Sequence, residues 1–294
     1  MNLMRFRNFY FAFSLLVIIP GLISLALFGL KPSIDFTGGA LLELQFQDEA
    51  ASKSFTLSEE LGQNYGVEEI IPSGDRAVLL KAKPMDNSQK DALLLALADE
   101  GVQVELLRFE TVGPSLGAEL LRKTLAAILL VASIITVYVW KQFKDLKFGV
   151  SAILAMLHDS LVLLGIFSLL GHFAGVEVDV LFVTALLTTL SFSIHDTIVV
   201  YDRIRELSRK YPRHDFEALA NAAVLETLGR SINNSMTIII MLLSLVILGG
   251  GSIYWFVMAL LVGAITGTYS STFTAVPLLL LWEELREKYA KKIN

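Results

Sequence analysis

Six long apolar runs constrain this chain more than any other feature, because about 20 consecutive apolar residues are what a helix needs to cross a hydrocarbon core. They fall near residues 9–30, 125–140, 148–170, 180–201, 232–248 and 253–282. With 54% hydrophobic side chains and a mean hydropathy of +0.61, the 294 residues are too apolar for an ordinary soluble domain. The sequence predicts a polytopic α-helical membrane protein. An even number of spans returns both termini to one side.

The net charge of −5 matters less than where the charges lie. Arg5 and Arg7 precede the first run, and Lys141, Lys144 and Lys147 separate the second from the third. Arg203, Arg205, Arg209, Lys210 and Arg213 follow the fourth, while Arg286, Lys288, Lys291 and Lys292 follow the last. The turns 171–179 and 249–252 hold no Lys or Arg, which puts them outside by the positive-inside rule. Both termini are then cytoplasmic, in a multi-pass arrangement. Residues 1–30 form the N-terminus and first span, 31–123 an exported domain, 124–282 the remaining spans with a cytoplasmic loop at 202–230, and 283–294 a cytoplasmic tail. The first run is also readable as a secretory signal, but it is long and no A-x-A site follows, which favours a retained helix.

The exported segment has no cysteine, so its own apolar core must hold it. Leu42, Leu44 and Phe46 alternate as in a half-buried strand over 40–46. Residues 57–65 read as a helix with Thr56 as N-cap and Glu59 completing a capping box. Strands follow at 68–71 and 77–82 around a Ser73-Gly74-Asp75 turn. A second helix runs over 87–99 from Asn87 as N-cap to a stop at Gly101, and a strand over 102–109 closes the unit. The order β-α-β-β-α-β is that of a small α+β, ferredoxin-like domain. It contains no phosphate loop, no metal-spaced ligand set and no Ser/His/Asp constellation, so neither an enzyme nor a nucleic-acid binder is expected. Gly38-Gly39 permits a tight backbone path at its entrance, as a plain turn or as a docking point.

The candidate site lies in the fourth run, where Asp196 follows His195. It sits six residues before the rim residue Asp202, about 9 Å along a helix. A carboxylate in hydrocarbon costs several kcal/mol unless paired, protonated or wet, and so marks a candidate proton carrier. Arg230, entering the fifth run from the same side, has the length to reach it. An arginine stays charged while an aspartate titrates, so opening their contact would change proton occupancy; a static pair that only orients two helices is the alternative. Ser231, Asn233 and Asn234 add polar groups nearby. Asp159, beside His158, lies about 16 Å into the third helix, near mid-bilayer. No metal site is expected.

Four strings carry a resemblance: Ile34-Asp35-Phe36-Thr37-Gly38-Gly39, then Val112 to Leu120 (VGPSLGAEL), then His195-Asp196-Thr197-Ile198-Val199-Val200-Tyr201-Asp202-Arg203-Ile204-Arg205-Glu206, and Gly263 to Ser271 (GAITGTYSS). In this order they resemble the SecF family of the bacterial Sec protein-export machinery. The resemblance implies a six-helix half of an RND-type transporter in the cytoplasmic (inner) membrane, with SecD and the SecYEG channel as partners. It also allows YajC and a membrane insertase as neighbours. Proton flow would then drive movements of exported domains that draw unfolded preprotein outward, with no cofactor beyond the proton. Asp196 and Arg230 match the family's intramembrane pair; the family's His-Asp pair in the third helix matches His158 and Asp159, as packing or as part of the proton path. Asn234 stands where a threonine is usual. The small face of the last helix, Gly263, Gly267, Ser270 and Ser271, is expected to touch SecD. The rival readings are an RND-like exporter of small molecules or lipids and a passive scaffold for assembly.

Overall fold

The computed structural model describes residues 2–47, 49–73, 76–143 and 145–293. Gly74 and Asp75 of the expected turn, and Lys144 of the second basic loop, lie outside the described residues. The chain forms two compact units, residues 32–126 and residues 1–31 with 127–294.

The smaller unit is built on alternation. In β1 (Gly39–Phe46), Ala40, Leu42, Leu44 and Phe46 are buried while Leu41, Glu43 and Gln45 are half-buried on the other face. The buried set packs with Leu80 of β3 (Ala77–Ala82) and with Leu93 and Leu97 of a helix (Asn87–Asp99). Each such side chain contributes about 1.5–3 kcal/mol of apolar burial. With β2 (Val67–Ser73) and β4 (Val104–Val112), the strands form an antiparallel sheet in the order β2-β3-β1-β4, the split βαβ topology expected of a ferredoxin-like unit. A bulge on the edge strand β4 leaves Leu107 between the pairs Glu43↔Arg108 and Leu44↔Leu106, which blunts that edge against further pairing.

Two helix starts differ from expectation by one or two residues. The helix Glu59–Tyr65 is capped by Ser58, whose hydroxyl accepts from Leu61 N at 3.3 Å, and not by Thr56. In the helix Asn87–Asp99 the cap is Asp86, which closes a capping box with Gln89 through bonds of 2.8 and 2.9 Å. Both corrections have one cause: several adjacent residues can cap, and the one chosen is the one whose N3 amide lies in reach. Two short helices, Ile34–Thr37 and Glu49–Ser54, have no periodicity long enough to be read in the sequence.

Numbered in chain order, the helices so far are α1 (Arg7–Leu27), α2 (Ile34–Thr37), α3 (Glu49–Ser54), α4 (Glu59–Tyr65) and α5 (Asn87–Asp99). There follow α6 (Pro114–Gln142), α7 (Leu146–Ala174), α8 (Val180–Lys210), α9 (Phe216–Leu248), α10 (Gly251–Phe273) and α11 (Ala275–Ile293). Among the described residues, six helical stretches are long and apolar enough to cross a membrane; the last combines α10 and α11. They break at Thr274, three residues before Pro277, which has no N–H to give the Phe273 carbonyl. Half of the apolar window of α7 and of α8 is buried, against none of that of α6, so α7 and α8 form the centre of this unit and α6 a margin.

Small residues set the closest approaches. A Cβ on Gly21 of α1 would lie 2.8 Å from Gly165 Cα on α7, and one turn on, Ser24 Oγ meets Ser168 Oγ at 2.8 Å. Gly263 and Gly267 of α10 pack on Thr189 and on Phe192 and Ser193 of α8. Lipid offers no hydrophobic force between helices, so such backbone contact and hydroxyl pairing hold them. Overpacking the first contact by Gly21→Val should destabilise the full-length chain by about 1–3 kcal/mol, read as thermal unfolding in detergent. Leu16→Ala, on the exposed face of α1, should change stability by no more than about 0.5 kcal/mol.

Candidate functional site

α8 starts at Asp179, whose carboxylate accepts from Phe182 N at 2.7 Å, and continues unbroken to Lys210. Its inner face carries Ser193, Asp196 and Thr197, all buried. Asp196 is 4% exposed, and its Oδ2 accepts a hydrogen bond of 2.6 Å from Ser231 Oγ on α9. Ser193 stands one turn before the acid and Ser235 one turn after Ser231; both hydroxyls are buried without a hydrogen-bond partner among the described residues. Buried hydroxyls left unpaired in protein are where ordered water is held, and three serines around one carboxylate make a polar seam between apolar helices.

The anticipated contact between Asp196 and Arg230 is not made in this structure. Consecutive helix positions diverge by about 100°, so with Ser231 turned to the acid, Arg230 is carried to the exposed side of α9. Arg230 forms no ion pair among the described residues, and Asn234 and His195 are likewise exposed. The sequence therefore located the acid and the helix that meets it, but ranked the long charged side chain above the short hydroxyl that makes the bond. Only the register of α9 against α8 decides between them.

A polar stripe faces outward on the same helices. Thr184, Thr188, Ser191 and His195 follow one another at helical spacing on the exposed face of α8, and Arg230, Asn233 and Thr237 do so on α9. At the ends of these two helices Arg203 bridges Glu226 and Glu206, both at 2.5 Å. Lys147, which reads in the sequence as a loop charge, is buried and held by Glu283 at 2.8 Å over the ring of Phe216.

The second acid has a cluster of its own. Asp159 is fully buried on α7, where Oδ2 accepts from Ser270 Oγ of α10 at 2.5 Å and Oδ1 lies 2.9 Å from His158 Nδ1. His158 Nε2 is buried with no partner among the described residues. Nearby, Tyr269 donates to the Tyr10 carbonyl at 3.0 Å, and Ser14 lies 3.4 Å from both the Tyr269 and Thr274 hydroxyls. The small face of the last helix thus packs inside this chain and not on a partner: Ser270 and Ser271 are fully buried, and Gly263 and Gly267 rest on α8. Among the described residues no group of three or more His, Asp or Glu side chains could hold a metal ion.

Comparison with known proteins agrees over almost the whole chain. The family described as protein export membrane protein SecD/SecF, C-terminal, matches residues 94–285, and the SecD/SecF GG motif matches residues 23–50. A protein translocase subunit SecF of Thermobaculum terrenum is 42% identical over 96% of this chain and 94% of its own length. The SecF of Anaerolinea thermophila is 39% identical over the same shares. The crystal structure of SecDF, a translocon-associated membrane protein from Thermus thermophilus, superposes with a TM-score of 0.83 at 33% identity. That match covers 97% of this chain and 39% of the fused protein. By family match, by relatives that share nearly its full length and by fold, this chain belongs to the SecF branch of the SecD/SecF family of protein-export membrane proteins.

Proposed function

We propose that this subunit couples proton movement across the inner membrane to the export of unfolded preproteins, with Asp196 as the group that takes up and releases the proton. The observation that carries the reading is a buried carboxylate bonded, among the described residues, to the neutral hydroxyl of Ser231, with Arg230, which forms no ion pair among those residues, one position before that serine on α9. Two arrangements are then open to the acid. In one it is held by Ser231; in the other, rotation of α9 brings Arg230 to the acid in place of Ser231. An ionised carboxylate gains from the second and a protonated one does not, so proton uptake and helix rotation are linked. Unpaired hydroxyls at Ser193 and Ser235 are suited to hold water along the way.

SecD is the partner in this reading. It is fused to SecF in the Thermus thermophilus relative, and a stripe of Thr, Ser, His, Asn and Arg side chains on α8 and α9 is poorly suited to lipid. Cover by the polar face of another membrane protein would satisfy it, and Arg230 would meet an acid there. The SecYEG channel, with YajC and a membrane insertase as neighbours, completes the assembly in this reading, and the distribution of basic residues supports an orientation with both termini in the cytoplasm. The work is movement and not covalent chemistry, with the proton as coupling ion and no other cofactor. His195 and Asn234 belong to the covered stripe. His158 and Asp159 hold α7 to α10 beside it.

Two measurements test this. With Asp196→Asn, and separately Arg230→Met, completion of precursor export in membrane vesicles should lose the part that depends on a proton gradient while the gradient-free part persists; parental responses from both variants would leave a passive scaffold as the better account. Ser231→Ala removes a hydrogen bond to an ionisable group, worth about 1.5–3 kcal/mol, and should lower the thermal stability of the full-length chain while keeping some gradient response, because Arg230 remains.

A further inference from the structure

The glycine pair at the start of the sheet has no part in the proton site, yet a Cβ at either position would come within 3 Å of a neighbouring atom. Gly38 ends α2 with φ +76° and ψ 160°, a region essentially closed to residues with a Cβ, and Gly39 follows at φ +145°. Gly39 opens β1 opposite Val112, the last residue of β4, so the beginning of the sheet and its end lie side by side where α6 departs. A Cβ on Gly38 would stand 2.8 Å from Pro114 Cα, the first residue of α6. One turn further, a Cβ on Gly117 would stand 2.9 Å from Gly38 N and 3.1 Å from Phe36 O. The first turn of α6 therefore rests backbone to backbone on Gly38 and Phe36, while Gly39 packs on Ile34 and the Ala82 carbonyl. Behind it, Ile34 and Phe36 are buried, and Ser33 caps their turn by accepting from Asp35 N at 3.3 Å. Gly113, between the two strings, meets nothing within 4 Å, so the closeness belongs to Gly38 and Gly117 and not to the neighbourhood at large.

The two connections of this unit to the rest of the chain are unequal. α1 ends at Leu27, and a non-helical segment leads from it to α2. α6, in contrast, is one unbroken helix whose residues 114–126 belong to the smaller unit and whose remainder belongs to the larger. Thirteen helical residues span about 20 Å. We propose that Gly38 is the seat to which α6 is locked through Gly117, making the sheet and the first turns of α6 one rigid lever. The lock stands on geometry alone; only the load it carries, movement of the exported domain during export, rests on the function proposed above.

The chain has no cysteine, so a spin-label pair can be placed without background. Labels at Ala92→Cys on α5 and Arg122→Cys on α6, both exposed, report the lever by their distance distribution in the full-length membrane protein. The expected result is one narrow distance in the parent and in Gly113→Ala, broadened in Gly117→Ala and in Gly38→Ala. A broad parent distribution, or a narrow one unchanged in both lock variants, overturns the proposal. Protease resistance of the sheet unit separates unlocking from unfolding: a unit that is cleaved in Gly117→Ala but intact in Gly38→Ala leaves the second variant to decide, and cleavage in both overturns the lock as a separable device. Asp196→Asn should leave the distance distribution narrow whatever it does to export, so failure of the proton reading and failure of the lock are told apart.

Discussion

A polar atom left alone in hydrocarbon costs several kcal/mol, and the larger unit of this protein is organised by how its few polar side chains escape that cost. The recurring answer is a serine hydroxyl. Ser231 meets Asp196 between α9 and α8, Ser270 meets Asp159 between α10 and α7, and Ser24 meets Ser168 between α1 and α7. A serine is small enough to let two helices approach and polar enough to bond across the gap. The glycines at 21, 165, 263 and 267 supply the approach, and the hydroxyls use it.

Two acids treated alike in this way are nevertheless placed differently. Asp159 is bonded by a serine on one oxygen and faces His158 on the other, at a junction where α1, α7 and α10 converge. Among the described residues Asp196 is bonded by Ser231, with hydroxyls that lack a partner a turn away and an outward-facing arginine beside the donor. The first arrangement has its alternatives occupied; the second leaves them open. A proton switch needs the open arrangement, since an equilibrium can be moved only where two states differ little in free energy.

The sequence carried the architecture because hydrophobic periodicity is a one-dimensional record of burial. Six apolar stretches, the alternation of β1 and the β-α-β-β-α-β order all appear in the structure, and β3 has the bounds expected of it. What was illegible depends on rotation or on register. Arg230 and Ser231 are neighbours in the sequence, yet only the packing angle of α9 tells which one meets Asp196. The small face of α10 looks the same whether it is pressed on α8 or on another protein; Thr189 receiving Gly263 settles it. Lys147 resembles any rim charge until Glu283, far along the chain, is brought to it. Caps moved by a residue or two for the same reason, because Thr56, Ser58, Asp86 and Asn87 are all competent and geometry selects.

The margin occupied by α6 follows from these constraints. A helix with its apolar window unburied contributes little to the core of its own unit, so its place in the chain needs another reason than packing. Its N-terminal turns give one. They are buried at Gly117 against Gly38 and the Phe36 carbonyl, and near the other end of the helix Val139 is buried in the core of the larger unit. The same helix therefore belongs to both units, seated in the smaller one at Gly117 and in the core of the larger one at Val139, while its apolar window between them is left unburied.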